Sequence, residues 1–305
     1  MRLEGIHHVS SITADAQANV DYYAGVLGLR LVKKSVNQDD PTVYHLFYGD
    51  DLGSPGLDLT FFEYPGVAPG RAGAGMIHRI VLRVASVAAL DFWQRRLAGS
   101  ERQGSSLLFN DPEGLGLELR VVNTDDPALT ANHPDIPPDL AIQGFEEVRA
   151  YSRDPERSRA LLETSLGFIP NGPAQWEVRG ELRGGRYVYD TAPAERGLPG
   201  AGTVHHVAWA SPDDDQTHWR QRVIESGAHP TDVIDRFWFK SVYFREPSGV
   251  LFEIATLGPG FGIDEDPMHL GERLILPPRF ETMRAELEQT LTPLRNPSRP
   301  APNAA

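Results

Sequence analysis

The chain has 305 residues, 40% of them hydrophobic and 23% charged, the balance of an ordinary globular protein with enough length for more than one core. Its net charge of −13, spread along the sequence, disfavours nucleic acid or an anionic membrane surface as partner, since both need clustered Lys and Arg. The absence of cysteine excludes disulfides, thiolate catalysis and Cys-ligated metal, so any metal site must use His and carboxylates.

Four segments, in chain order, share one grammar: a strand phrase, a polar cap, an amphipathic helix and a glycine that stops it. The first starts at Ile6, takes Asp15 as cap, carries Val20, Tyr23 and Leu27 on one helical face, and stops at Gly28. The second starts at Ile77, with Ser86 as cap, Leu90, Trp93 and Leu97 as the face, and Gly99 as stop. The third runs from Phe145 through Asp154 and Pro155, as cap and first helical residue, to Leu162, Leu166 and Gly167. The fourth runs from Val204 through Ser211 and Pro212 to Trp219, Val223 and Gly227. With His8, Arg79, Glu147 and His206 aligned, the stop glycine lies 20, 20, 20 and 21 residues downstream. Alternating apolar stretches follow each glycine, such as TVYHLFYG, SLLFN and SVYFRE, and read as strands. The expected architecture is therefore α+β, four βαβββ modules forming two domains of curled mixed sheets. A helix of three or four turns on so small a sheet cannot bury its apolar face alone, so the modules should pair.

Composition marks the joints. Residues 1–122 form an N-terminal half with modules one (5–65) and two (76–122), and 123–143 are a Pro- and Asp-rich linker. Residues 144–263 form a C-terminal half with modules three (144–190) and four (203–257). From Asp264 to 305 runs an appendix whose last stretch, NPSRPAPNAA, is expected to be disordered. No apolar run reaches the roughly 18 residues of a membrane span, and MRLEGIHHVS lacks the apolar core of a secretory signal, so the expected location is cytoplasmic.

The repeat register also picks out a metal site. The aligned first-strand residues are His8, Arg79, Glu147 and His206; the last-strand residues are Thr60, Glu118, Tyr189 (aligned only loosely) and Glu253. Only modules one and four offer ligands at equivalent places, His8, His206 and Glu253, with Thr60 as a blank fourth corner. Two imidazoles and one carboxylate on one face hold a divalent metal and leave positions open. Modules two and three offer Arg79 between Glu118 and Glu147, an ion-paired cluster that would repel a cation. So modules one and four should face each other around a metal, and modules two and three should form a cup without one. A carboxylate in the apolar run VLFEIA would be costly to bury unpaired; the competing reading of Glu253 is an ion pair with an Arg.

The βαβββ repeats, the paired HHV phrases and the closing GVLFEIAT resemble the vicinal oxygen chelate superfamily of glyoxalases, fosfomycin-resistance enzymes and extradiol dioxygenases. More narrowly, the run from IHHVSSITADAQANVDYYAGVLGLRL to VYHLFYGD, the segment DRFWFKSVYFREPSGVLFEIATLGPGF and the tail HLGERLILPP resemble the hydroquinone ring-cleaving dioxygenases, from about Gly5 to Pro293. The resemblance implies iron(II), or manganese(II) in its place, on His8, His206 and Glu253, with a small aromatic substrate and O₂ as partners. It also carries over Arg236 and Tyr243, 17 and 10 residues before Glu253, as groups beside the substrate. Tyr243 could then donate to or deprotonate a substrate oxygen, Arg236 stabilise an anionic oxygen or orient Tyr243, and His205 act as acid or base. His7 and Ser10 are further candidates for contact with substrate. Strict strand alternation, however, points His7 and His205 away from the metal face. His45, His78, His218 and His269 read as structural or surface residues. Two alternatives stand beside the dioxygenase: a glyoxalase-type isomerase or lyase, which generally uses four protein ligands, and a metal-free binding protein of the bleomycin-resistance kind. A homo-oligomer is compatible with the sequence, the appendix covering either the site or a neighbouring subunit.

Overall fold

The computed structural model describes residues 1–181 and 183–296; positions 297–305, within the stretch expected to be disordered, lie outside the described residues. Each module folds as βαβββ. Module one contributes β1 (Ile6–Thr13), β2 (Arg30–Val36), β3 (Tyr44–Gly49) and β4 (Asp58–Glu63). Module two contributes β5 (Ile77–Val84), β6 (Glu101–Gln103), β7 (Ser106–Asn110) and β8 (Gly116–Val121). Module three contributes β9 (Phe145–Ser152), β10 (Ile169–Pro170), β11 (Gln175–Arg179) and β12 (Gly184–Thr191). Module four contributes β13 (Val204–Ser211), β14 (Ile234–Asp235), β15 (Lys240–Arg245) and β16 (Leu251–Thr256).

The module helices are α1 (Ala16–Val20), α2 (Val87–Arg96), α3 (Glu156–Ala160) and α4 (Gln216–Glu225). All four stop glycines sit at positive φ, between 70° and 85°, where a side chain would be strained. Asp15 and Ser86 cap α1 and α2 through their side chains. The caps expected at Asp154 and Ser211 are not made: α3 and α4 begin without one, because Pro212 at ψ 151° keeps the chain extended until a short 3₁₀ turn, and Pro155 is already in helical conformation. Helices α1 and α3 also widen into π-helical turns at Asp21–Val26 and Leu161–Ser165.

Among the described residues, sixteen strands form two eight-stranded sheets, in the orders β14-β15-β16-β13-β1-β4-β3-β2 and β10-β11-β12-β9-β5-β8-β7-β6. Each sheet draws on both halves of the sequence: module one joins module four through the antiparallel β1–β13 seam, and module two joins module three through β5–β9. Register identifies the equivalent last-strand positions. Thr60 lies opposite Ser10, Glu118 opposite Val81 and Glu253 opposite Ala208, two residues past each aligned first-strand position. In module three that place is Val188, opposite Arg149, and not Tyr189. Tyr189 turns to the helix side, where its hydroxyl meets Ser158 and Glu246.

Both seams are bulged. Between Ile6 and His8 the partner strand advances only from Trp209 to Ala208, leaving His7 as the extra residue; between Ser10 and Ser11 it skips from His206 to Val204, leaving His205. The second seam repeats the device at His78 and Glu146. A bulge sets two residues against one and breaks strict alternation.

One apolar core runs through both sheets and their helices, and a smaller cluster of Val32, Phe47, Ala208, Trp238, Phe239, Ala255, Phe261 and Leu270 lies beside the first seam. The appendix packs on module one of the same chain. Ile275 N–H donates to Lys34 O at 2.9 Å, and α5 (Arg284–Thr290) buries Leu287. The ammonium of the wholly buried Lys33 meets Asp264 at 2.7 Å and Glu265, and it lies over the Trp238 ring. Among the described residues, no helix is long and apolar enough to cross a membrane.

Candidate metal centre

Three adjacent strands of the first sheet bring His8, His206 and Glu253 together on β1, β13 and β16. His8 Nε2 lies 3.1 Å from His206 Nε2 and 3.1 Å from Glu253 Oε2, and His206 Nε2 is 2.9 Å from the same oxygen. All three residues are buried. Glu253 Oε2 nevertheless accepts no hydrogen bond, as suits donors aimed at a shared cation rather than at one another. The triangle has the right size. With metal–ligand bonds of about 2.0–2.2 Å, one face of an octahedron has edges of about 3 Å. Burial alone would raise the Glu253 carboxyl, but the two imidazoles hold it well below its ordinary range. Ser241 Oγ donates to the other oxygen at 2.5 Å and fixes the carboxylate plane.

The bulges explain the doubled histidines. His7 Nδ1 is 2.9 Å from His8 Nδ1, and His205 Nδ1 is 2.8 Å from His206 Nδ1. A ligand imidazole that offers Nε2 to a metal carries its proton on Nδ1, so His7 and His205 must accept there. His7 then donates from Nε2 to the Thr256 carbonyl at 3.1 Å, which completes its tautomer assignment. Burial, with His8 alongside, pushes the His7 imidazole down to about 3 and keeps it neutral.

Above the triangle opens a cleft of about 360 Å³, a volume that includes the open space at its mouth. Phe47, Phe62, Trp238 and Phe239 form its apolar walls, and Ser10, Asn37, Gln38, Asp39, His45, Arg236 and Tyr243 its polar lining. A tight turn sets the far wall. Phe237 sits at φ 74°, and Arg236 N–H donates to Phe239 O at 2.9 Å, which carries Arg236 and Phe239 to the cleft together. Arg236 Nε donates to Tyr243 Oη at 3.3 Å. Burial and the nearby Glu253 charge push the Tyr243 phenol above its ordinary value, so it is a proton donor at neutral pH.

Of the residues singled out from sequence, His8, His206 and Glu253 converge, and Ser10, Arg236 and Tyr243 line the cleft with them. His7 and His205 lie outside its lining, behind the ligands they contact. His45, read as structural or surface, belongs to the cleft: its Nε2 lies 3.0 Å from Thr60 Oγ1, which is also 2.6 Å from Ser10 Oγ. The signal was present in YHLFYG, since His45 shares strand parity with Phe47 and Tyr44, Leu46 and Tyr48 take the core side. Thr60, the blank fourth corner, is engaged by both neighbours. The loop residues Asn37, Gln38 and Asp39 had no periodicity to reveal them. Asp58 was missed too. It is fully buried with neither oxygen hydrogen-bonded, beside His7 and His8, and burial pushes its carboxyl up to about 7.

The equivalent place in the second sheet carries charge of another kind. Glu118 pairs with Arg120 at 2.8 Å and reaches Arg79 only at 3.8 Å. Glu147, expected beside Arg79, is held instead by Arg120 at 3.0 Å and Arg149 at 2.7 Å. Arg149 continues to Asp190, which also binds His78, stacked at 3.8 Å on Tyr151.

Four βαβββ modules that present two imidazoles and a carboxylate at one seam define a metal-chelating fold. Residues 5–119 match the model of the Glyoxalase/Bleomycin resistance protein/Dioxygenase superfamily. The Bacillus subtilis protein MhqA, named provisionally as a ring-cleaving dioxygenase, is 39% identical over 97% of this chain and 100% of its own length. The chlorohydroquinone/hydroquinone 1,2-dioxygenase of Sphingobium indicum is 33% identical over 95% of this chain and 96% of its own. A crystal structure of a provisionally assigned Bacillus subtilis dioxygenase, 37% identical, superposes with a TM-score of 0.88 over 97% of this chain and 98% of that one. The chain belongs to this superfamily and, within it, to the ring-cleaving dioxygenase branch.

Proposed function

We propose that the protein is a metal-dependent dioxygenase that opens hydroquinone-type, para-dihydroxylated aromatic rings with O₂, using iron(II), with manganese(II) as a substitute. The observation that carries this reading is the His8–His206–Glu253 triangle at the floor of a small aromatic cleft, with a phenol donor at its side. Full-length relatives named for ring cleavage support it.

His8, His206 and Glu253 would hold the metal, which supplies Lewis acidity toward a phenolate and electron exchange between an electron-rich ring and O₂. The remaining work falls to the chain. Phe47, Phe62, Trp238 and Phe239 clasp a single ring and exclude water. Tyr243, whose oxygen is already engaged by Arg236, directs its O–H toward a substrate oxygen and is the proton donor of the site. Arg236 keeps that phenol oriented and stabilises negative charge gathering near it. His7 and His205 fix the ligand tautomers through Nδ1. Both atoms of O₂ enter the opened ring, so no external reductant is required. A glyoxalase-type reaction finds less support, because Thr60, at the place of a fourth ligand, is bound to Ser10 and His45.

The test is anaerobic reconstitution with iron(II), addition of hydroquinone, and measurement of O₂ uptake with the ring-opened chromophore. Uptake of one O₂ per ring is expected. No uptake with hydroquinone, methylhydroquinone or catechol would overturn the proposal.

A further inference from the structure

The one cation of the cleft is already taken. Among its described lining residues Arg236 alone is a Lys or Arg, and its guanidinium is largely buried at 13% exposure. Asp39, at the tip of the β2–β3 loop of module one, grips it with both oxygens, at 2.9 Å to Nη1 and 2.9 Å to Nη2. With Nε turned to Tyr243, the planar fork that would bind a carboxylate is filled from within.

The loop is built to hold this grip. Asn37 Oδ1 accepts from Asp39 N–H at 3.0 Å, Gln38 Nε2 donates to the Arg236 carbonyl at 2.7 Å, and Gln38 Oε1 accepts from Arg279 of the appendix at 2.8 Å. The Asp39 backbone is therefore set in place before any ligand arrives, while its side chain, 73% exposed, is held by Arg236, whose guanidinium keeps the carboxyl below the ordinary range. His45, the remaining basic group of the polar wall, is kept neutral by burial. An incoming ring with a carboxylate would meet Asp39 and would have no unpaired cation to receive its charge, apart from the metal itself. A ring bearing only hydroxyls loses nothing by this arrangement.

We propose that Asp39 is a specificity-determining residue: by filling the Arg236 fork it restricts the cleft to uncharged dihydroxylated aromatics and turns away carboxylated ones. The inference rests on the hydroquinone reading above and adds to it the charge class of the substrate.

The experiment uses the full-length protein, loaded anaerobically with iron(II), and calorimetric binding of three rings. Methylhydroquinone probes the site itself; 2,5-dihydroxyphenylacetate and its amide share one shape and differ in charge. The wild type should bind the amide about tenfold or more tightly than the acid, the order expected when one partly buried charge lacks a partner. Asp39→Asn should erase or reverse that preference, with the gain in acid binding fading as salt is added, and Asp39→Glu should keep it. A merely structural role for Asp39 would weaken acid and amide alike. Equal binding of acid and amide by the wild type, or an unchanged ratio in Asp39→Asn, would overturn the inference while leaving the hydroquinone reading standing. So would failure of the amide where methylhydroquinone binds, because shape would then set the class. Failure of all three rings would take down the hydroquinone reading and this inference with it.

Discussion

Asp58 ought to make the metal-free protein lose stability with rising pH. Its carboxyl is 1% exposed, neither oxygen is hydrogen-bonded, and it titrates near 7 instead of an ordinary 3.8. At about 1.4 kcal/mol per pKa unit, that displacement is worth about 4 kcal/mol. The direction follows from which state holds the proton. Below pH 3.8 the carboxyl is neutral in folded and unfolded chains alike, and its contribution is fully present. Between pH 3.8 and about 7 the unfolded chain ionises while the folded one resists, so stability falls; above about 7 the loss is complete. Asp58→Asn cannot ionise. Urea unfolding of both proteins in chelator, at steps from pH 4 to 8, should show the variant gaining on the wild type by about 4 kcal/mol over that window. Any fixed penalty of the amide shifts the difference without altering its slope. With metal bound, the nearby cation favours the ionised carboxylate and the slope should shrink. A difference constant within about 1 kcal/mol from pH 4 to 8 would show that Asp58 does not take up its charge in that window.

Four further outcomes are expected. Glu253→Gln should cut the metal content of the purified protein to a small fraction, read by elemental analysis, while circular dichroism still reports the folded sheets; full metal content would exclude Glu253 as ligand. Tyr243→Phe should lower kcat by about a hundredfold with metal content unchanged, as for removal of a positioned proton donor. Lys33→Met strands Asp264 and Glu265 and should cost about 3–5 kcal/mol, a fall in Tm of roughly 5–10 °C, most of it recovered when Asp264→Asn and Glu265→Gln are added. Chelation should speed hydrogen exchange in β1, β13 and β16 and leave β5, β8 and β9 unchanged; equal acceleration in both sheets would contradict the placement of the metal.

The parts of this molecule that were legible are those tied to local periodicity. A stop glycine recurring 20 or 21 residues after each first strand follows from a helix of fixed length on a fixed sheet, and all four glycines occupy the left-handed region. Glu253 could be read because a carboxylate in an apolar strand needs a partner. Alternation kept His7 and His205 off the metal face, where they do lie outside the cleft lining, but it could not show that a bulge sets each against its neighbouring ligand, since a bulge depends on how two distant strands pair. The same limit hid Asp39, whose partner lies 197 residues away. Tyr189 was misaligned by one residue because no ligand-like side chain marked the true position, Val188. Capping failed where proline intervened, at Ser211 and Asp154, for Pro shifts the helix start downstream or removes the extended cap conformation.

The two seams solve one electrostatic problem in different ways. Each joins two modules back to back and buries carboxylates where strands from both sides meet: Glu253 in the first, Glu118 and Glu147 in the second. In the second seam the counter-charge is covalent, with Arg79, Arg120 and Arg149 threaded among the acids. The first seam has only imidazoles at that place, with Asp58 buried nearby as a second uncompensated carboxylate. A seam completed by its own arginines is finished on folding and has nothing to exchange. A seam that leaves one carboxylate oxygen without a hydrogen bond, between two nitrogens and below an open cleft, suits a cation from solution, which is what the proposed function asks of it. Under the proposed function the duplicated module acquires its chemistry at the seam whose carboxylate meets imidazoles instead of arginines, and the loop carrying Asp39 reaches across that same seam to grip Arg236.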